Sequence, residues 1–412
     1  MEPQENVTVT VENGCILSIG RNPALKNSEI IDLNGRYLLP GLINAHVHLP
    51  GSGKPSQRGA QNPDTVKKLL GNPISHFILR KMCENYAKTE LLSGTTTIRT
   101  VGGLATIDST IRDRINSGKT VGPRMLVSDM AVSVPGGHMA GVLAYEAKSP
   151  EECREYIRKI AENKPDLIKL MITGGVLDAT VKGEPGTLKM SLEFVEAACD
   201  EAHKLGLRVA AHVESTEGLL VALKGGVDTI EHGAKPNEEI ISLFKERGSA
   251  DICTISPAIP LATLPPELTR SNELTQYNGK IVMDGIIESA VACIANGIPV
   301  GLGTDTACPF VTHYNMWREV FLFHKYVGVT IAFALHTATL GNARILGIED
   351  ETGSIAIGKS ADFVVVDGNP LEDLSVLSKP YMVVIKGKLL RKPKVRKIAV
   401  IEDNLDRAFL KI

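Results

Sequence analysis

The sequence predicts a closed (β/α)8 barrel with a small β-sandwich assembled from both ends of the chain. Two observations carry this. Between residues 40 and 350, short apolar segments alternate with amphipathic helical stretches, the pattern of a parallel sheet wrapped by helices. Outside that span the period falls to two on both sides, so the ends are β-rich. The expected division is 1–39 with 353–412 for the small domain and 40–352 for the barrel; a doubly wound open sheet is the alternative topology.

In chain order, "VTVTVENGCILSI" (7–19) alternates on both sides of Asn13-Gly14, a hairpin signal. Eight strand candidates follow: "YLLPGLINA", "TTTIRTV", "RMLVSDM", "DLIKLMI", "LRVAAHV", "VDTIEH", "ADICTIS" and "IPVGLGT". The Gly/Pro-rich segment 50–64 reads as a loop over the C-terminal end of the first. "SPEECREYIRKIAEN" (149–163) opens with Ser-Pro and acids, as a helix start does. "ADFVVVDG" and "YMVVIKGKLLR" are strand-like, the second folding back at Lys386-Gly387-Lys388.

Composition narrows the function classes. Lys plus Arg number 45 against 47 for Asp plus Glu, so the net charge of −2 gives no electrostatic case for nucleic acid or an anionic membrane as partner. The expected partner is a small-molecule substrate, with a homo-oligomer as a further expectation. The first residues lack a basic-then-apolar leader and no run is long enough to span a bilayer, so the expected location is cytoplasmic. Seven cysteines, none in a CxxC pair, read as reduced thiols. Any bound metal must therefore be held by histidine and carboxylate.

In a barrel the chemistry collects where strands end. Strand one ends in His46-Val47-His48, strand four holds Lys169, strand five ends at His212, strand six at His232 and strand eight at Asp305. Residues i and i+2 of a strand share a face, so both imidazoles of the HxH pair can converge on one ion. A single histidine is more often an ordinary core or surface residue. Five such strand ends together point to a divalent cation such as zinc.

Lys169 interrupts an apolar run, where a buried ammonium is costly. Beside cations the ammonium is the wrong species. Carbon dioxide adding to the neutral amine would make a carboxylate able to bridge two metals; the alternative is a lysine that snorkels to pair with Asp178 or Glu184.

"PGLINAHVHL", "GTTTIRTVGG", "GPRMLVSD", "GGHMAG", "DLIKLMITGGV", "AHKLGLRVAAHVES", "GVDTIEHGA", "GIPVGLGTDT", "ALHTATLGNARILGI" and "GSIAIGKSADFVVVDGNPLED" together resemble the metal-dependent amidohydrolase superfamily. The nearest pattern is the branch of Xaa-Pro dipeptidase-like and imidazolonepropionase-like enzymes. The resemblance implies a binuclear hydrolase of carbon–nitrogen bonds: His46, His48 and Asp305 on one metal, His212 and His232 on the other, and N6-carboxylated Lys169 with a hydroxide bridging them. Asp305 would shuttle the proton. A dipeptide or N-acyl amino acid is the expected substrate; a cyclic amide or a non-catalytic scaffold are the alternatives. Deaminases of the superfamily need no lysine at strand four.

His138, in "PGGHMAG", is a candidate for the substrate carbonyl or carboxylate, balanced against an ordinary loop histidine. Lys235 and Arg58 are weaker candidates for a carboxylate clamp, solvent-exposed charge being the commoner use. Lys235 also stands where related enzymes often carry an aromatic residue. His313, Trp317 and His324 follow strand eight and could wall the pocket or pack in the core, and His336 sits at core-packing spacing. "GLGTD" is no dinucleotide fingerprint, because no third glycine opens a helix.

Overall fold

The computed structural model describes residues 3–21, 28–55 and 62–410. The chain folds as a (β/α)8 barrel with antiparallel sheet elements from its termini. The strands are β1 Thr8–Glu12, β2 Cys15–Gly20, β3 Tyr37–Pro40, β4 Leu42–Val47, β5 Thr95–Thr100, β6 Arg124–Val127, β7 Ala131–Ser133 and β8 Ala144–Glu146. They continue with β9 Leu167–Met171, β10 Arg208–Val213, β11 Thr229–His232, β12 Ala250–Cys253, β13 Val300–Leu302, β14 Phe363–Val366, β15 Met382–Ile385 and β16 Lys388–Arg391. The barrel uses β4, β5, β6 and β9 to β13, all parallel to their partners.

The barrel's two halves meet at seams where side chains do much of the joining. Between β6 and β9, Asp166 N donates to Val127 O and Val127 N to the Asp166 carboxylate, each at 2.8 Å. Between β13 and β4, Asn342 accepts from Leu302 N (2.8 Å) and donates to Leu302 O (2.8 Å) and Ile43 O (2.7 Å). The glycines of "GLG" make this seam possible. A Cβ at Gly301 would sit 2.6 Å from the Asn342 carbonyl oxygen, and one at Gly303 would sit 2.3 Å from the His46 Cβ. Close approach, not phosphate binding, is what the motif serves.

One expected strand proves to be two. Residues 37–45 divide at Pro40-Gly41: β3 joins the antiparallel sheet β16-β15-β14-β3, and β4 enters the barrel. Within β14, Phe363 and Val365 pack with Ile16, Met382 and Val384 of the terminal unit, while Val364 and Val366 join the barrel's core. Burial on both faces accounts for its uninterrupted apolar run. The β1–β2 hairpin turns at Asn13-Gly14 with φ of 51° and 82°, as a type I′ turn requires.

The helices follow from capping and stripe. In Pro150–Ala161, Ser149 Oγ accepts from Glu152 N at 3.2 Å, Pro150 supplies the first turn, and Cys153, Ile157 and Ile160 form the buried face. The C-terminal helix Ala399–Leu405 docks on the barrel rather than on the terminal sheet: Ile401 and Leu405 join the barrel's core, and Arg318 donates to Glu402 at 2.9 Å. Among the described residues no helix is long and apolar enough to cross a membrane.

Candidate metal centre

β4 brings His46 to the barrel mouth, fully buried, with His48 just beyond it. The ring of His46 holds the Glu231 carboxylate at 2.7 Å through Nδ1, and His48 Nδ1 meets Gly102 O at 2.8 Å. A carbonyl oxygen only accepts, and Glu231 is ionised by its pairing with Arg99 at 2.7 and 2.9 Å, so Nδ1 carries the proton in both rings. Burial works against the charged Glu231, but the Arg99 charge and the His46 hydrogen bond outweigh it and hold it well below the usual carboxylate range.

In the neutral form of these rings the Nε2 lone pairs face each other at 3.4 Å, and each faces Asp305 Oδ1 at 3.2 Å. Three acceptors pointing at one another repel unless a cation lies among them. Ligands at zinc bond lengths of about 2.0–2.2 Å in a tetrahedron stand about 3.3–3.5 Å apart, so the spacing suits such an ion. The residues present fit a divalent metal.

A second group adjoins the first. His232 lies with its ring 4.8 Å from that of His46 and 4.7 Å from that of His212. His232 Nδ1 bonds the Thr254 hydroxyl at 2.7 Å, and His212 Nε2 donates to Gly174 O at 3.2 Å, which leaves one nitrogen of each ring for a ligand. Burial, reinforced for His212 by His138 and for His232 by His46, pushes both pKa values well below the ordinary histidine value. Neutral imidazole is the form that binds a cation.

Backbone conformation helps to aim these groups. His232 and Asp305 have φ of 71° and 53°, left-handed values rare outside glycine. Adjacent residues of a strand normally point to opposite faces. The turn at His232 lets it and Glu231 both address the barrel interior. Such strain persists where surrounding contacts hold it and is common at functional sites.

Lys169 is 1% exposed, and among the described residues its Nζ has no hydrogen-bond partner. Burial draws its pKa down to about 8; Glu231 and Asp305 oppose the shift and Arg99 adds to it. Asp178, one of the partners considered for it, instead binds His138 Nδ1 and accepts from Gly175 N at 3.3 Å. Burial would raise the Asp178 pKa, but the hydrogen bond and charge of His138 hold it below the ordinary value. The His138 ring stacks on His212 with centroids 4.2 Å apart, which places it at the site.

Other candidates lie elsewhere. The Lys235 side chain is 73% exposed and pairs with Glu288 at 3.4 Å. Arg58 lies outside the described residues. His313 is buried, bonds Gly51 O at 2.8 Å and stacks on Tyr86, while His324 bonds Val329 O at 2.6 Å; both serve packing. Trp317 is buried among the barrel's core residues. Sequence reasoning did not single out Glu231, Arg99, Thr254 or Glu214. Glu214 is partly buried and accepts from Val176 N at 3.0 Å, and burial with the charge of Asp305 raises its pKa to about 8.

Comparison with known proteins agrees with this geometry. A sequence model of the amidohydrolase family matches residues 37–390. A Bifidobacterium longum protein provisionally described as a prolidase superposes with a TM-score of 0.84 at 35% identity, over 96% of this chain and 92% of that one. A Xaa-Pro dipeptidase with methionine bound in its active site superposes at 0.81 and 29% identity, over 93% and 95%. Ochratoxinase of Aspergillus niger is 26% identical over 95% of this chain and 84% of its own length.

Proposed function

The chain belongs to the amidohydrolase family, and from that premise we propose that it hydrolyses the amide bond of a dipeptide or an N-acyl amino acid, using two divalent ions, zinc in the first instance. The observation that carries the reading is the convergence of three potential ligand atoms, His46 Nε2, His48 Nε2 and Asp305 Oδ1, 3.2–3.4 Å apart. The similarity to a Xaa-Pro dipeptidase supports the substrate class.

His46, His48 and Asp305 would hold one ion, and His212 and His232 the other. Lys169 would bridge them after its neutral amine adds carbon dioxide and loses one proton to become a carbamate. Its burial and the lack of a partner for Nζ among the described residues support that modification. The bound ions would supply Lewis acidity toward the scissile carbonyl and lower the pKa of water.

The chain's own groups do the rest. Asp305 takes a proton from the attacking water and delivers it to the leaving nitrogen, using Oδ2, which the Cys308 thiol reaches at 3.2 Å. His138, with Nδ1 held by Asp178, presents Nε2 to the substrate carbonyl or carboxylate. Glu231 and Arg99 fix the orientation of His46.

The test is a screen of dipeptides and N-acyl amino acids against zinc-loaded protein in bicarbonate, read by amine release. Hydrolysis that stops on chelation, together with a carbamate carbon signal from isotopically labelled bicarbonate that Lys169→Ala abolishes, is the expected result. Fully metal-loaded protein that cleaves no member of either class would overturn the substrate reading.

A further inference from the structure

Two strand ends on opposite sides of the barrel carry nearly the same tetrapeptide: Ala45-His46-Val47-His48 leaves β4, and Ala211-His212-Val213-Glu214 leaves β10. In each, the first and third side chains of the His-Val-X triplet share a face, the arrangement that lets a pair converge on one ion. The first triplet has a recognised partner in Asp305. The second has one in His232, and ligand atoms of His212, Glu214 and His232 all lie within 4.8 Å of one another.

We propose that Glu214 is a direct ligand of the second cation, making His212, Glu214 and His232 a three-residue set that mirrors His46, His48 and Asp305. The proposal rests on the binuclear reading of the site. Ligands in a tetrahedron around one zinc stand about 3.3–3.5 Å apart, so the three groups need to close by up to about 1.4 Å.

The surroundings of Glu214 are arranged for this role. Its backbone N donates to Thr173 Oγ1 at 3.0 Å, and Val176 N donates to one carboxylate oxygen, Oε2, at 3.0 Å. Both partners come from the segment after β9, so the carboxylate is held and oriented by the segment that follows Lys169. No ion pair to Glu214 is found among the described residues, and the other oxygen takes no hydrogen bond there. A carboxyl group fixed at one oxygen and unengaged at the other, beside two imidazoles, gives a cation a ligand set with one negative charge once its proton is displaced. It equals the charge that Asp305 gives the first set.

A consequence separates this arrangement from one that depends on Lys169 alone. The second ion then has its own anionic ligand and stays bound when the lysine is unmodified. The experiment is metal binding by the full-length protein, with zinc content per chain after dialysis and the visible spectrum of the cobalt-substituted form as readouts, in bicarbonate-free buffer. Wild type should hold two ions per chain. Glu214→Gln should hold one, with affinity for the second weakened at least about 10-fold and the cobalt absorption of that site lost, while circular dichroism shows the fold intact. Glu214→Asp, which keeps the charge, should recover part of the second equivalent.

Two equivalents at unchanged affinity in Glu214→Gln would overturn the proposal and leave the binuclear reading standing. A higher KM for amine-bearing substrates with full metal content would assign Glu214 to the substrate instead, and so would overturn it too. Wild type that binds one ion in bicarbonate-free buffer and two in bicarbonate also overturns it, because Lys169 then supplies the missing charge. Wild type that binds none under either condition defeats both readings.

Discussion

Asp362 and Asp305 are both buried aspartates, one at the junction of barrel and terminal sheet and the other at the barrel mouth. Asp362 is surrounded by donors: Arg124 at 2.6 Å and Thr352 at 3.0 Å on one oxygen, Lys386 N at 2.7 Å and Ser360 at 3.0 Å on the other. Asp305 Oδ1 faces the Nε2 atoms of two imidazoles, which are lone pairs when the rings are neutral. A carboxylate enclosed by donors is complete and acts as a rivet. One enclosed by acceptors is half of a site whose other half is a cation.

The largest effect should come from exchanging the two roles. Asp305→Asn should lower kcat/KM by about 10²–10⁴-fold while the melting temperature of the metal-free protein holds or rises; near-normal turnover would remove Asp305 from the proton path. Asp362→Ala should do the reverse, costing about 3–5 kcal/mol of stability because Arg124 is left buried with Glu351 as its remaining carboxylate partner among the described residues. Denaturant midpoints and turnover per folded molecule separate these outcomes, and a stable Asp362→Ala protein would show the junction to be dispensable.

A smaller change should follow from loosening a supporting residue. Glu231→Gln retains shape but weakens the grip on His46 and on Arg99, so zinc affinity should fall about 10–100-fold by competition with a chromophoric chelator. Unaltered affinity would mean that packing alone orients the ring.

The smallest effect concerns a third buried aspartate, Asp251, which resolves its burial with a proton. Burial pushes its pKa up to about 8, the Ser289 hydrogen bond opposes this, and the charge of Glu231 adds to it. The folded chain then keeps a proton that the unfolded chain gives up near pH 4, so folding binds a proton between about pH 4 and 8 and stability falls as pH rises through that window. Asp251→Asn should narrow the gap in melting temperature between pH 5 and pH 8 by a few degrees. A gap that does not change would place the proton elsewhere.

Much of the site is legible in the sequence, for a specific reason. Strand ends are marked by a change from apolar to polar, and His46, His48, Lys169, His212, His232 and Asp305 each stand at or near such a change. Their helpers stay hidden because they do not break a pattern in their own segment. Glu231 sits next to a histidine that draws attention for itself, and its role depends on Arg99 from β5 and on the left-handed turn that follows it. Alternation within a strand gives no hint of either. Lys235 and His138 stand equally close to polar motifs in sequence, yet only His138 reaches the site, because its neighbour Asp178 comes from a loop forty residues away. Contacts between segments of such separation leave no local trace. The division at Pro40-Gly41 is likewise obscured, since both pieces are apolar for different reasons.

The Asn342 amide leaves a mechanical legacy. With the Asn44–Thr304 and His48–Thr306 hydrogen bonds, it stitches β13 to β4, and His46 with His48 stand on one side of that seam while Asp305 stands on the other. Any breathing of the cylinder along that seam would draw Asp305 away from the two histidines. An ion seated among them would act as a latch, so its arrival should slow amide exchange at Leu302 and Thr304 more than anywhere else in the wall.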